Sequence, residues 1–271
     1  MKNYNYCVFY LAYQPLKKFF FKNFVKSYKM FNPGNKHLLI VCFKNFQSKK
    51  IISDWKKELV GIKYCAIEEN YKKKDFDINS YYRVAKKYKN KVILFLNSYS
   101  CINVDNWLRL ITKHYGKKTI VSCTASNASL SSSYFRGYFK KISFYKSLKY
   151  GFANLFRFPI FPNPHLRTTA FLIKGSDFLS LKFKFFKKKL DANIFESGRG
   201  GMTRQLKKRG FKIILAGKNG IGYEKESSWK TSEVYSFKDQ KNLIISDNRT
   251  ANYARLSARK KKAEVTHNWG F

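Results

Sequence analysis

A glutamate next to a glycine-rich turn is the strongest candidate for catalysis in this chain. Glu196 stands just before Gly198, Gly200 and Gly201. A carboxylate can take a proton from a reacting hydroxyl group, and glycines let backbone amides come close to an anionic ligand. The structural alternative stays open, since the carboxylate can instead stabilise the positive end of the helix predicted to follow, by about 0.3–1 kcal/mol.

A second candidate group lies in the segment NPHLRTTAF (163–171), at the mouth of a predicted strand. His165 and Arg167 both belong to it. The planar guanidinium group of an arginine suits phosphate, so we predict that Arg167 and the neighbouring His165 contact a phosphate or an acceptor group. An isolated histidine is also commonly a satisfied structural group, and that alternative stays open.

Apolar and amphipathic runs alternate along the chain and predict the elements that position these residues. Predicted strands cover residues 6–13, 37–43, 61–68, 92–97, 119–125, 168–174 and 211–216. Predicted helices cover residues 17–31, 78–88, 106–115, 176–181 and 202–209. Asp77 is expected to cap the helix at 78–88 with its side chain, and a basic loop is expected before Glu196.

This order of strands and helices predicts an α/β fold with a doubly wound, mainly parallel sheet and flanking helices. The nearly continuous apolar run at 92–97 is typical of a strand that is covered on both faces. Ligands of such sheets bind beyond the carboxyl ends of the strands. The loops after Tyr13, Asn97 and Ala125 are therefore the predicted ligand site.

Two stretches of the chain, DINSYYRVAKKYKNKVILFLNSYS (77–100) and FESGRGGMTRQLKKRGFKIIL (195–215), resemble the GT-A glycosyltransferases. The similarity is greatest to the family-2-like bacterial enzymes that build surface polysaccharides, and it covers roughly residues 6–217. It implies a GT-A-like, Rossmann-like domain over 1–235, with a basic-aromatic insertion at 131–162 and a C-terminal lid or tail at 236–271. It also implies a nucleotide-sugar donor and a saccharide or lipid-linked acceptor.

The resemblance assigns roles to individual residues. Glu196 corresponds to the acid that takes the acceptor's proton in an inverting transfer. Tyr13 stands where this family cradles the nucleobase, and Glu68 stands where it often has an acid that contacts the base or ribose. Plain structural roles, as a core edge for Tyr13 and a solvated carboxylate for Glu68, stay open.

The chain departs from the family at the metal site. Asn97, Ser98, Tyr99 and Ser100 occupy the position of the acidic DxD motif. Hard cations prefer carboxylate oxygens, so a manganese or magnesium cofactor is in doubt, and Asn97 and Tyr99 are expected to contact the donor directly. Cations of the protein, namely Arg167, Arg199, Arg204 or nearby lysines, are predicted to stabilise the departing diphosphate instead.

The charge of the chain calls for an anionic partner. It has 55 Lys+Arg against 16 Asp+Glu, a formal net charge of +39, which favours phosphates, nucleic acid or an anionic membrane. Codon bias in an AT-rich genome accounts for many lysines but not for so few acids. The lysines are spread along the chain rather than clustered, which weakens the nucleic-acid hypothesis.

The insertion at 131–162 alternates aromatic and basic residues at helical spacing. Such segments bind the headgroup region of anionic membranes, and an ordinary core-facing helix is the alternative. No apolar run is long enough to span a bilayer, and no signal-cleavage site follows the first strand. We therefore expect a cytoplasmic protein, with peripheral attachment to the inner membrane left open.

Two other function classes remain at this stage. A basic nucleic-acid-binding protein would use aromatic side chains for stacking and lysines for phosphates, although no recognised motif supports it. A catalytically inactive GT-A-like binding domain would explain the missing DxD motif. Only the enzyme needs the carboxylate of Glu196.

Overall fold

The computed structural model describes residues 4–71, 75–139, 142–182 and 186–270. Its strands are β1 (Tyr6–Tyr13), β2 (His37–Lys44), β3 (Tyr64–Glu69), β4 (Val92–Leu96), β5 (Cys101–Ile102), β6 (Thr119–Ser122), β7 (Ala125–Ser126), β8 (His165–Leu166), β9 (Ala170–Lys174), β10 (Lys212–Ala216), β11 (Gly222–Tyr223) and β12 (Ile245–Ser246). Its helices are α1 (Lys18–Met30), α2 (Lys49–Lys56), α3 (Asp77–Lys87), α4 (Trp107–Thr112), α5 (Leu130–Phe135), α6 (Phe144–Leu155), α7 (Gly175–Leu179), α8 (Lys189–Ser197), α9 (Met202–Lys208), α10 (Glu226–Trp229), α11 (Asn248–Ala254) and α12 (Ala258–Trp269).

Eight strands form one central sheet in the order β11-β10-β6-β9-β4-β1-β2-β3. Strands β3, β2, β1 and β4 pair in parallel, as do β6 and β10, whereas β9 runs antiparallel between β4 and β6. Two small two-stranded sheets, β12 with β5 and β7 with β8, flank it. The sequence prediction of an α/β fold with a mainly parallel sheet is therefore confirmed.

Helices cover both faces of the sheet, so its central strands are apolar throughout. In β1, Phe9 belongs to the core under α3, α8 and α9, whereas Tyr10 belongs to the core under α1, α2 and α4. Phe95 lies in the first of these cores, with its ring centroid 4.9 Å from that of Tyr81 and 5.2 Å from that of Phe171. These rings fix the sheet against α3.

Local structure differs from the sequence predictions at two places that matter for the site. The predicted basic loop before Glu196 contains α8, and Glu196 lies in the last turn of that helix rather than ahead of a helix N-terminus. Its carboxylate accepts hydrogen bonds from Thr168 and caps no residue at the start of α9. Asp77 is the first residue of α3 and makes no side-chain cap bond, because Phe76 occupies the capping position.

The five cysteines are all free, and Cys7, Cys42 and Cys123 are buried. The other two, Cys65 and Cys101, are half-buried.

Among the described residues, no helix is both long enough and apolar enough to cross a bilayer.

Truncation of Phe95 tests this packing. We expect Phe95→Ala to lower the free energy of unfolding by about 3–5 kcal/mol, because the fully buried ring leaves a cavity between the sheet and α3. Phe19 on α1 is 61% exposed and provides the control, with a change within about 0.5 kcal/mol for Phe19→Ala. Urea unfolding measures both, and equal effects would contradict the placement of Phe95 in the core.

Candidate active cleft

The topology gathers the predicted site residues at one edge of the sheet. The carboxyl ends of the parallel strands β1, β2, β4 and β6 meet there. Because β9 is antiparallel, its amino end lies at the same edge, with Ala170 paired to Leu96. The segment from His165 to Thr169 therefore lies beside the loop that follows β4, which is where an α/β sheet binds its ligands.

A first cavity, the strand-end pocket, has a volume of about 570 Å³. It is lined by residues that follow or end β1, β2 and β4 and by residues before α8, namely Leu11, Tyr13, Leu16, Lys44, Asp75, Phe76, Asp77, Ser98, Tyr99, Lys187, Lys188 and Lys189. The sequence prediction placed Tyr13 and Tyr99 at a ligand site, and both line this pocket. Its volume is that of a small-molecule site.

Three consecutive lysines and the carboxylates of Asp75 and Asp77 line the strand-end pocket. Lys187, Lys188 and Lys189 lie together at the start of α8. The side chain of Asp77 is solvent-exposed at the start of α3. The pocket thus offers cations for a phosphate chain and an acceptor for hydroxyl groups.

A buried ion-pair network supports the wall of this pocket behind β2. The ammonium group of Lys44 is 1% exposed and lies 2.8 Å from Asp75, and Arg83 bridges Asp75 and Glu69 at 2.6 Å to each carboxylate. Burial opposes ionisation of Asp75, but hydrogen bonds from Arg83 and Lys44 outweigh it and lower its pKa. Paired charges of this kind hold a fixed geometry, because breaking one pair leaves an uncompensated buried charge.

The turn at Asn97 does not fit a divalent metal ion. The side-chain oxygen of Asn97 accepts hydrogen bonds from the amide of Tyr99 at 3.0 Å and from the hydroxyl of Ser100 at 3.0 Å. It is therefore committed to the turn. Within the described ranges no group of three His, Cys, Asp or Glu side chains is placed to hold a metal.

Tyr99, by contrast, is available to a ligand. Its ring is half-buried and contacts the edge of Phe20, with 4.8 Å between ring centroids. Tyr99 and Tyr13 of β1 both line the strand-end pocket. Two tyrosines are thus positioned to contact an aromatic ligand such as a nucleobase.

A second cavity, the acid pocket, lies next to the first and shares Lys189 with it. Its volume is about 270 Å³. It contains three of the predicted residues, Glu196, His165 and Arg167. The C-terminal segment provides much of the remaining wall, through Tyr235, Arg249, Glu264, His267 and Asn268.

The carboxylate of Glu196 is held from one side. The backbone amide of Thr168 donates to Oε2 of Glu196 at 2.7 Å, and the Thr168 hydroxyl donates to the same oxygen. Oε1 accepts no hydrogen bond from the residues that the structure describes. One oxygen thus fixes the carboxylate, and the other remains for a substrate hydroxyl.

The guanidinium group of Arg167 joins the sheet to the C-terminal segment. It lies 2.8 Å from the carboxylate of Asp247 and stacks on the ring of Tyr235, 4.2 Å from its centroid. Burial works against ionisation of Asp247, but the adjacent Arg167 outweighs it and lowers the pKa. The hydrogen-bond geometry of the pair is imperfect, and Nη1 of Arg167 has no partner among the described residues.

Two histidines in the acid pocket are neutral near pH 7. Nδ1 of His165 lies 2.7 Å from the carbonyl of Asn163, so it carries the ring proton and leaves Nε2 as an acceptor. Burial lowers the pKa of His165, and Glu196 acts against this. Burial, together with Arg249 and Arg136, lowers the pKa of His267 to about 4, and this ring stacks on Tyr138 with 3.7 Å between centroids.

Four predicted residues lie outside both pockets, and one of them is Asn97, whose side chain is held in the turn after β4. Arg199 is exposed and donates to the carbonyl of Leu155, and Arg204 donates to the side-chain oxygen of Asn163 at 3.1 Å. Glu68 forms an exposed ion pair with Lys56 at 2.9 Å. Its neighbour Glu69 is the buried carboxylate of the network behind β2.

Sequence reasoning missed several residues that the structure places in the cleft. Lysines 187–189 belong to a run whose composition predicts a basic loop, and the C-terminal residues Glu264 and His267 carry no local signal. Asp77 was assigned a capping role only. The residues around Asp247 do carry a local signal, because Asp is a preferred N-cap residue and Asp247 caps α11.

Comparison with known proteins gives similarity of fold. No family model matches the chain, and no curated protein matches it. Among solved structures, the chain is similar to a nucleotide-diphospho-sugar transferase of Desulfovibrio desulfuricans G20, at 12% identity over 44% of this chain and 59% of that one (TM-score 0.31).

It is also similar to mouse xyloside xylosyltransferase 1, at 8% identity over 91% of this chain and 98% of that one (TM-score 0.45). A third similarity is to the bifunctional glycosyltransferase WbbM, at 9% identity over 99% of this chain (TM-score 0.47). The chain spans 51% of WbbM and 59% of the Desulfovibrio protein. At these identities and TM-scores the activity has to be inferred from the side chains of the cleft.

The depressed pKa of His267 predicts a pH dependence of stability. The unfolded chain protonates this histidine near pH 6.5, but the folded chain does so only near pH 4. Folding stability from this group is therefore complete above about pH 6.5 and falls as the pH drops toward 4, by about 2–3 kcal/mol at pH 4.5.

The matched variant is His267→Phe, which keeps a ring against Tyr138 and removes the titrating group. Denaturant unfolding at pH 7 and pH 4.5 should show the variant gaining stability relative to the parent by about 2–3 kcal/mol at the lower pH. An unchanged difference between the two proteins at both pH values would show that His267 is not buried as the structure places it.

Proposed function

We propose that the chain is a glycosyltransferase, which moves a sugar from a nucleotide-sugar donor to the hydroxyl group of a saccharide or lipid-linked acceptor. The observation that carries this proposal is the adjacency of the two pockets through Lys189. A cavity with lysines and tyrosines continues into one that holds an oriented carboxylate. A donor bound in the first would direct its sugar toward Glu196 in the second.

The strand-end pocket matches the parts of a nucleotide sugar in order. The rings of Tyr13 and Tyr99 offer stacking surfaces for the base, and the carboxylate of Asp77 can accept a hydrogen bond from a ribose hydroxyl. Lysines 187–189 stand at the start of α8 and line the pocket, so their cations can attract a diphosphate. This set of contacts supports donor binding without a metal ion.

Glu196 is the proposed general base. A hydroxyl of the acceptor would donate its proton to Oε1 of Glu196 as its oxygen attacks the anomeric carbon of the donor sugar. The bond from that carbon to the diphosphate breaks in the same step, and Lys189 and its neighbours offset the charge on the leaving group. The carboxylate would then give its proton to solvent.

The residues around the base support an acceptor rather than a second nucleotide. His165 offers a neutral ring nitrogen, while Arg167, Arg249 and Glu264 offer polar groups that suit sugar hydroxyls. A role in surface polysaccharide synthesis, and the division into a GT-A-like domain at 1–235 and a lid at 236–271, fit this proposal. Asp247, Arg249 and His267 would then be the residues that the lid contributes to the site.

Replacement of Glu196 by glutamine tests the base. We expect Glu196→Gln to lower nucleotide release from the cognate nucleotide sugar, in the presence of acceptor, by about 10²- to 10⁴-fold. Binding of the nucleoside diphosphate should stay within about twofold, because the change lies outside the strand-end pocket. The assay is a screen of UDP-, GDP- and CMP-sugars with mixed saccharide acceptors, read as released nucleotide.

Glu68→Gln is the control, since it removes a carboxylate that lies outside the cleft. It should leave both rate and affinity unchanged. Full activity of Glu196→Gln would eliminate Glu196 as the base. Retained nucleotide binding with no transfer by the parent protein would favour an inactive binding domain.

A further inference from the structure

Large apolar side chains are exposed in one region of the surface far more than elsewhere. Twelve large apolar side chains are exposed among the described residues, and seven of them lie between residues 135 and 160. They are Phe135, Phe144, Tyr145, Tyr150, Phe152, Phe156 and Ile160. We call the outward side of α5, α6 and the residues up to Ile160 the aromatic face. A contiguous patch of this kind marks an interaction site in a folded protein.

Helix α6 is inverted relative to an ordinary surface helix. Its buried positions are Ser147, Gly151 and Asn154, whereas Phe144 is 80% exposed and Phe156, just past its end, is 89% exposed. A helix that packs on a water-soluble core normally buries its aromatic stripe and exposes its polar one. The sequence alternatives for 131–162 were a membrane surface or a core-facing helix, and the exposed aromatic side chains favour the first.

The inner face of α6 is fixed, so the helix cannot rotate to bury its aromatic side chains. The hydroxyl of Ser147 donates to the carbonyl of Tyr134 at 2.6 Å. A Cβ atom on Gly151 would lie 2.7 Å from the ring of Phe135, so this ring packs directly on the backbone of α6 at the glycine. The outward direction of Phe144, Phe152 and Phe156 is therefore built into the packing.

Charge selects the kind of surface that fits the aromatic face. Arg136, Lys146, Lys149 and Arg157 lie among the exposed rings, and the sequence has no Asp or Glu between Asp105 and Asp177. Basic residues next to exposed aromatic side chains bind the headgroup region of anionic bilayers, through apolar burial together with Coulomb attraction. The same cations would repel a second copy of this chain, which carries the same charge.

We propose that the aromatic face docks on an anionic lipid bilayer. The connection between α5 and α6 also reaches the site, because Tyr138 and Phe139 line the acid pocket, as do Leu130 and Ser133 of α5. Docking through this face therefore places the acid pocket next to the bilayer. A second step, which rests on the proposed function, follows from it: the acceptor is a lipid-linked saccharide that approaches Glu196 from the membrane.

Vesicle flotation of the full chain tests the docking step. The protein should float with vesicles of equal parts phosphatidylcholine and phosphatidylglycerol and stay behind with pure phosphatidylcholine vesicles. Lys146→Gln with Lys149→Gln should weaken binding by about fivefold for each charge removed. Lys29→Gln with Lys208→Gln is the charge-matched control at exposed lysines away from this face, and it should change binding much less.

A triple variant tests the aromatic contribution. Phe144→Ser, Phe152→Ser and Phe156→Ser together should weaken binding to the anionic vesicles by more than about tenfold, because three rings lose their burial in the interface. Phe19→Ser with Met30→Ser is the control for exposed apolar residues elsewhere. All three side chains point outward, so thermal unfolding should show the triple variant folded.

Three outcomes would overturn the docking proposal. They are no flotation with anionic vesicles, flotation that the triple variant retains in full, and self-association in solution that the triple variant abolishes. Nucleoside diphosphate binding by the same proteins is measured in parallel. Nucleotide binding without flotation would reject the membrane surface alone, whereas flotation without nucleotide binding would reject the proposed function and the lipid-linked acceptor with it.

Discussion

Two consecutive residues between the short strand β8 and the antiparallel strand β9 hold the cleft together. Thr168 fixes the carboxylate of Glu196 at the end of α8, and Arg167 pairs with Asp247 at the start of α11. Both residues lie just before the amino end of β9, which pairs with β4 on one side and β6 on the other. The acid pocket thus forms because β9 is antiparallel. The residues that precede β9 therefore lie at the edge where the parallel strands end.

Much of the fold follows from local sequence pattern. The strands of the parallel half are continuous apolar runs, since helices cover both faces, and such runs are recognisable without a structure. The same pattern places Tyr13, Asn97 and Tyr99 at strand ends, and their neighbourhood follows from topology alone. Glu196 was found for a similar reason, because a lone carboxylate before three glycines is conspicuous.

The remainder of the site depends on contacts between distant parts of the chain. Arg167 and Asp247 are eighty residues apart, and nothing near either one indicates the other. Helix α8 begins in a lysine-rich stretch, in which an amphipathic pattern is not recognisable from the sequence. The sequence therefore does not indicate that Lys189 lines a pocket. Glu68 and Glu69 stand side by side at the end of β3, where alternation along the strand leaves Glu68 exposed and Glu69 buried. The sequence does not show which of the two faces the network of Lys44 and Arg83 occupies.

We propose that lysines at the start of α8, rather than a divalent ion, hold a nucleoside diphosphate in the strand-end pocket. Calorimetric titration of the protein with UDP, GDP and CDP, first in EDTA and then with manganese, tests it most directly. One of the three should bind in EDTA, more tightly than its monophosphate, with little change on adding manganese. Binding only in the presence of manganese, or no binding of any of the three, would contradict it.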